Sequence, residues 1–186
     1  NSTGRSIFSA YQMEYKANNW LHINSGLTRF SSQIVSEFYG NHTGENFAAY
    51  GQLHLTPLAR VKLVAGGRVE YNALDNDRDK PIALFRAGVN IRAKHYSFLR
   101  ISFGQGYRYP SIAEKHAATT LGSVRIFPNP FVKAESGWNS EVGFKQGILT
   151  KTMNGMIDLA LFYSQNKDMI EYVFGLYPGG MGFRAT

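Results

Sequence analysis

The 186-residue chain is 44% hydrophobic and 14% aromatic, with nineteen Gly and no Cys, which excludes disorder, a collagen-like repeat, a disulfide scaffold, thiolate metal sites and cysteine nucleophiles. Its net charge of +7 comes from Lys and Arg scattered along the sequence rather than gathered into runs, so nucleic acid is not an expected partner. It contains no run of 18 apolar residues, which excludes helical membrane spans.

Taken in chain order, segment after segment alternates with a period of two, the pattern of a half-exposed strand. From Ile7 to Lys16, Ile7, Tyr11, Met13 and Tyr15 oppose Gln12, Glu14 and Lys16. Leu21, Ile23 and Leu27 then face away from His22, Asn24, Gly26 and Thr28, and Phe47, Leu53 and Leu55 from Gln52 and His54. The clearest case is Val61 to Tyr71, where Val61, Leu63, Ala65, Gly67, Val69 and Tyr71 oppose Lys62, Val64, Gly66, Arg68 and Glu70. The same alternation runs through Phe85–Ala93, Leu99–Gly104, Glu141–Lys145 and Ile157–Ser164. The pattern predicts about eight strands.

The connections alternate in length. Tight ones fall near Ala17–Asn19, Thr56–Leu58, Lys94–Tyr96 and Thr150–Asn154, and long ones span about 31–46, 73–81, 105–137 and 165 onward. A meander with its short turns on one rim and its long loops on the other is the layout of outer-membrane barrels. Strands of about 11 residues, rising about 3.3 Å each and tilted about 45°, cover roughly 25 Å, the height of such a barrel's apolar band. The opposite parity holds Glu14, Lys62, Arg68, Glu70, Arg86, Arg92, Arg100, Glu141, Lys145 and Asp158, enough to line a wet lumen. Tyr15, Trp20, Tyr71, Tyr96, Trp138 and Tyr163 stand near strand ends, where aromatic girdles form. The fold class expected is therefore all-β: an antiparallel up-and-down meander that is a fragment of a transmembrane β-barrel.

After Phe103 the chain reads Gly104-Gln105-Gly106-Tyr107-Arg108-Tyr109-Pro110-Ser111-Ile112-Ala113-Glu114, then Pro128-Asn129-Pro130-Phe131-Val132-Lys133-Ala134-Glu135, then Asn139-Ser140-Glu141-Val142-Gly143. This resembles the paired boxes of TonB-dependent outer-membrane receptors, R-x-S-x-G-x-G-[FY]-R-x-P-S-x-x-E followed by N-P-x-L-x-x-E and E-x-G. Arg100, Ser102, Gly104, Gly106, Tyr107, Arg108, Pro110, Ser111 and Glu114 fit the first box. Asn129, Pro130, Glu135, Asn139, Glu141 and Gly143 fit the second. Tyr109 departs where many members have Ala, and Val132 where Leu is usual. Gly104 and Gly106 are expected to bend or bulge the strand end, Pro110 to stop its pairing and Asn129-Pro130 to turn the chain back.

The resemblance implies that residues 1–186 are part of one barrel domain, without the plug domain and the remaining strands of a barrel of about 22. It implies binding and energised uptake of a scarce solute such as a ferric siderophore, haem, cobalamin or an oligosaccharide. The implied partners are the receptor's own plug, the TonB complex, outer-membrane lipid and the solute, and an isolated open sheet would also associate edge to edge. Ligand-facing candidates are Arg100, Tyr107, Arg108, Tyr109, Glu114 and His116, on the lumen face and the loops. Arg100, Arg108, Glu114, Glu135 and Glu141 also suit a salt-bridge set that fixes loop geometry. His22, His42, His54, His95 and His116 share no metal-site spacing, so no metal and no cofactor are expected; haem-transporting members do place an axial His between the boxes, where His116 stands. No acid, base or nucleophile arrangement is present, so no enzyme activity is expected. Two alternatives remain at this point: a self-contained eight-stranded membrane barrel with a structural or adhesive role, and a soluble β protein that binds a ligand inside.

Overall fold

A computed structural model describes residues 2–122 and 124–186. The chain runs through β1 (Ser2–Lys16), β2 (Leu21–Ser36), β3 (Gly40–Leu58), β4 (Val61–Leu74), the two-residue β5 (Asp77–Arg78), β6 (Ile82–Lys94) and β7 (Ser97–Arg108). The short helix α1 (Ile112–His116), β8 (Thr119–Leu121) and β9 (Val124–Phe127) follow, then β10 (Glu135–Leu149), β11 (Asn154–Lys167), β12 (Tyr172–Tyr177) and β13 (Gly180–Ala185). The long strands form one antiparallel sheet in the order β1-β2-β3-β4-β6-β7-β10-β11, with β5 paired to β4. These are the eight strands expected from the alternation. Strands β1 and β11 are the two edges of this sheet and do not pair with each other, so the eight long strands do not close as the self-contained barrel requires.

Tight turns join the strands on one rim, and their chemistry is local. The Asn18 side-chain oxygen accepts from the backbone N–H groups of Trp20 (2.9 Å) and Leu21 (2.8 Å), closing an Asx-type turn between β1 and β2. Between β10 and β11 the Thr150 hydroxyl accepts from Met153 N–H at 2.9 Å and donates to its carbonyl at 3.0 Å.

Two expectations are corrected. Residues 31–46 are not a long loop: β2 and β3 remain paired from Ser31↔Glu45 up to Ser36↔Gly40. Only Glu37, Phe38 and Tyr39 are left to turn, with Gly40 at φ 81°. The polar–apolar alternation stops there while backbone pairing does not, because strand hydrogen bonds do not depend on which face is apolar. Nor do Gly104 and Gly106 bulge their strand. The β7–β10 ladder continues in register through Asn139↔Gly104 and Gly137↔Gly106 to Glu135↔Arg108; the register shifts of this sheet lie at Leu55/Leu58 and Arg92/Lys94.

Burial is inverted relative to a water-soluble sandwich. Ile7, Phe85 and Leu159, on the apolar parity of three strands, are 53%, 59% and 64% exposed. Phe103, Trp138 and Tyr163 meet on that outer face, with ring centroids 6.0 and 5.3 Å apart in succession. Phe162 is an exception, an exposed aromatic on the polar parity of the edge strand. The buried apolar side chains are few, and Leu74, Ile112, Ala117, Val132 and Ala185 belong to a strand end and the connections beyond it. There β12, β13, β9 and β8 form a second, four-stranded sheet in which β13 and β9 run parallel, Phe183 opposite Ile126.

Candidate functional site

Two arginines eight positions apart on β7 organise the polar face and the rim above it. Arg100 donates from Nε to Glu141 on β10 (2.8 Å) and from one terminal nitrogen to both oxygens of Asp158 on β11 (2.9 and 3.1 Å). Its position depends on Gly143, the residue opposite it in the ladder: a Cβ at Gly143 would sit 2.5 Å from Arg100 Nε. Absence of a side chain at Gly143 is thus what lets the guanidinium cross β10 to reach two strands. The Arg in one box and the E-x-G in the other are parts of one contact.

Arg108, at the end of the same strand, forks onto Glu135 with 2.8 and 2.9 Å bonds, and its other terminal nitrogen meets both oxygens of Glu114 at 2.8 and 2.9 Å. Glu114 in turn closes a capping box on α1, accepting from the Ser111 N–H at 2.8 Å while the Ser111 hydroxyl accepts from the Glu114 N–H. Glu135 also accepts from the Ile170 N–H at 2.6 Å. Through its two carboxylates one guanidinium therefore links β7 to β10 and the start of α1, and Glu135 extends that link to the segment after β11. Burial opposes the Glu114 carboxylate, but the Ser111 N–H and hydroxyl and Arg108 outweigh it, so its pKa lies below the ordinary value.

Lys115 is only 4% exposed, which is uncommon for a lysine without partners. It donates to Asp77 (2.9 Å) and to the Tyr109 hydroxyl (3.2 Å), and its ammonium lies 4.9 Å from the Tyr109 ring centroid. Burial works against its charge, and Asp77 and Tyr109 more than restore it, leaving the pKa raised. Tyr107 donates to Asp79 at 2.5 Å. Next to Lys115, the His116 ring stacks on His42 at 3.8 Å between centroids and 22° between planes, and His42 Nδ1 lies 2.6 Å from Asp75 Oδ2. Burial, then the neighbouring His42, lowers the His116 pKa. Burial raises that of Asp75, but His42 and the Thr43 N–H outweigh it and hold the carboxyl below its usual range.

The six residues singled out from sequence thus fall into two groups. Tyr107 and Arg108 line an open cleft of about 480 Å³ at the ends of β7, β10 and β11, beside Arg86, Glu135 and Asn139. Arg100 lines another of about 660 Å³ lower on the polar face, with Lys62, Arg92 and Lys145. Tyr109, Glu114 and His116 are tied instead into the connection between β7 and β10. Sequence reading overlooked the Lys115–Asp77 pair, which anchors that connection, Asp79, which holds Tyr107 near the end of β7, and the meeting of His42 with His116, 74 positions apart in the chain. No local spacing signals a contact between residues so distant.

The profile of one family, described as TonB dependent receptor-like, beta-barrel, matches residues 2–184. The chain belongs to the TonB-dependent receptors. The barrel of this receptor shares its fold with solved members at low identity. It superposes on the siderophore receptor PirA of Pseudomonas aeruginosa with a TM-score of 0.83 at 11% identity, covering 99% of this chain and 37% of that one. It superposes on the Serratia marcescens hemophore receptor HasR, solved with its hemophore and heme, at 0.79 and 13%, again over 99% and 37%. For the copper transporter OprC the values are 0.72 and 15%, over 100% and 33%. The chain therefore spans about a third of the length of these receptors. No protein of curated function matches it.

Membership places the receptor segment in the outer membrane of a Gram-negative bacterium, in a family of transporters and receptors rather than enzymes. The exposed apolar parity is then its lipid face, Phe103, Trp138 and Tyr163 part of an aromatic girdle, and the polar parity its lumen wall.

Proposed function

We propose that this segment forms part of the lumen wall and outer mouth of a receptor that binds a scarce solute and imports it with energy delivered through TonB to a plug domain. The observation that carries the reading is the joining of both sequence boxes by Arg108, which anchors the connection between β7 and β10 above a polar wall. A wall of fixed charges with braced loops suits capture of a large polar solute: a ferric siderophore, haem, cobalamin or an oligosaccharide. In this reading Arg100 and Arg108 contact the solute from the clefts they line, while Tyr107, on the parity of Phe103 rather than the lumen parity expected for it, braces the rim through Asp79. Tyr109, Glu114 and His116 act by holding the loops that surround it.

The test is uptake by the full-length receptor in cells with and without TonB, using labelled members of each solute class. The expected result is surface binding in both strains and accumulation only with TonB. Import that is independent of TonB, or no binding of any class, overturns the reading.

A further inference from the structure

We propose that His42, Asp75 and His116 form a binding site for a single divalent transition-metal ion, which clips helix α1 to the outer end of the β3–β4 pair. One ligand atom from each lies within 4.8 Å of the others. They come from three places in the fold: the start of β3, the turn after β4 and the last residue of α1. A cation there joins segments that the long sheet leaves separate.

Asp75 and His116 are held by contacts outside the site, and the ion replaces the proton of the His42 Nδ1–Asp75 Oδ2 hydrogen bond. Asp75 sits in the left-handed region at φ 53°, a conformation that Asp tolerates better than most residues. Its Oδ1 accepts from Thr43 N–H at 2.8 Å, and its own N–H donates to the Thr43 carbonyl at 2.8 Å. That reciprocal pair holds the carboxylate at the β3–β4 end and turns Oδ2 toward the histidines. The half-buried His116 makes no hydrogen bond from either ring nitrogen among the described residues; its neighbour is the face of His42. Helix α1 is fixed at its start by Arg108, along its length by Lys115 bound to Asp77, and just past its end by Ala118 N–H donating to the Phe38 carbonyl at 3.0 Å. The site is thus built on braced elements.

Two imidazoles and one carboxylate suit zinc, cobalt, nickel or copper(II), with water completing the shell, and are poor ligands for calcium or magnesium, which prefer oxygen alone. The 2.6 Å His42–Asp75 contact is shorter than the spacing of about 3.3 Å between two ligands on a tetrahedral zinc ion. Binding therefore parts that pair by less than an ångström and draws His116 inward. This goes beyond solute import, because the ion belongs to the rim itself.

The test uses the natural full-length receptor in detergent, stripped with a chelator and titrated with Co²⁺ and Zn²⁺ in the presence of excess Ca²⁺. Wild type is expected to bind one more equivalent than His116→Ala, read by cobalt visible absorption and by calorimetry. Asp75→Asn and His42→Gln are expected to weaken that equivalent by roughly ten- to a hundredfold, and His95→Ala, at a turn on the opposite rim, to leave it intact. Zn²⁺ should also slow amide exchange in 112–117 of wild type and not of His116→Ala. Equal stoichiometry and affinity in wild type and the three site variants overturns the proposal, as does calcium displacing the ion. Circular dichroism checks the β-sheet of each variant; if His116→Ala is unfolded, Asp75→Asn and His42→Gln decide. Solute uptake is scored separately, so failure of metal binding leaves the import reading standing.

Discussion

Arg100 and Arg108 lie on the same strand and each binds two carboxylates, yet they do different work. Arg100 is held by the ladder: Glu141 and Asp158 are brought to it by register alone, on strands whose spacing the sheet already fixes. Arg108 has one partner supplied by the ladder, Glu135, and one supplied by the helix cap, Glu114. The first arginine decorates a structure that exists without it, whereas the second ties the start of α1 to the sheet, beside the Lys115–Asp77 and Ala118–Phe38 contacts farther along. The same ion-pair chemistry is worth little where a continuous backbone ladder has fixed the geometry, and more where only a few side-chain and turn contacts do.

The comparison breaks most visibly at Arg108. Arg108→Ala leaves Glu114 and Glu135 facing each other, and amide exchange across 112–117 is expected to rise roughly ten- to a hundredfold while the long strands keep their protection. Uniform exchange across both regions would contradict the division drawn here. Gly143→Ala is next: its methyl group displaces the Arg100 side chain, a flexible neighbour, so the expected cost is about 1 kcal/mol in denaturant unfolding from detergent. Arg100→Ala is expected to change exchange on β10 and β11 by no more than about threefold, since exposed ion pairs contribute little. A larger effect than that of Arg108→Ala would reverse the ranking.

The smallest effect is that of pH. Glu114 and Asp75 both have pKa values below the ordinary carboxylate range. Their contribution is therefore complete above the unfolded value of about 4 and is lost as pH falls through the lower folded values. Protection of α1, corrected for intrinsic exchange, should begin to fall below about pH 6.5, because His116 at its end is held below its ordinary pKa and the unfolded chain takes up that proton first, and should decline again below about 4, this second step being shallower in Glu114→Gln.

What the sequence revealed divides along the same line. The eight strands and their tight turns were legible because lipid on one side and water on the other impose a period of two for as long as the strand is in the membrane. Above the membrane both faces meet water, the alternation ends, and so residues 31–46 read as loop although β2 and β3 remain paired. The boxes were legible as a motif, and the mutual dependence of Arg100 and Gly143 only from the ladder that places them opposite. The His42–Asp75–His116 cluster and the pairing of β13 with β9 depend on contacts across many tens of residues, and the local hairpins β12–β13 and β8–β9 are too short to show a period.

The parallel pairing of β13 with β9 has a mechanical consequence. One strand belongs to the connection between β7 and β10 and the other follows β11, so by chain order they belong to two separate loops. Backbone bonds between them, together with the Asn129 amide on the Ala185 carbonyl at 2.9 Å, turn those loops into one body. A push on either is carried to both, so these two loops move as a single part.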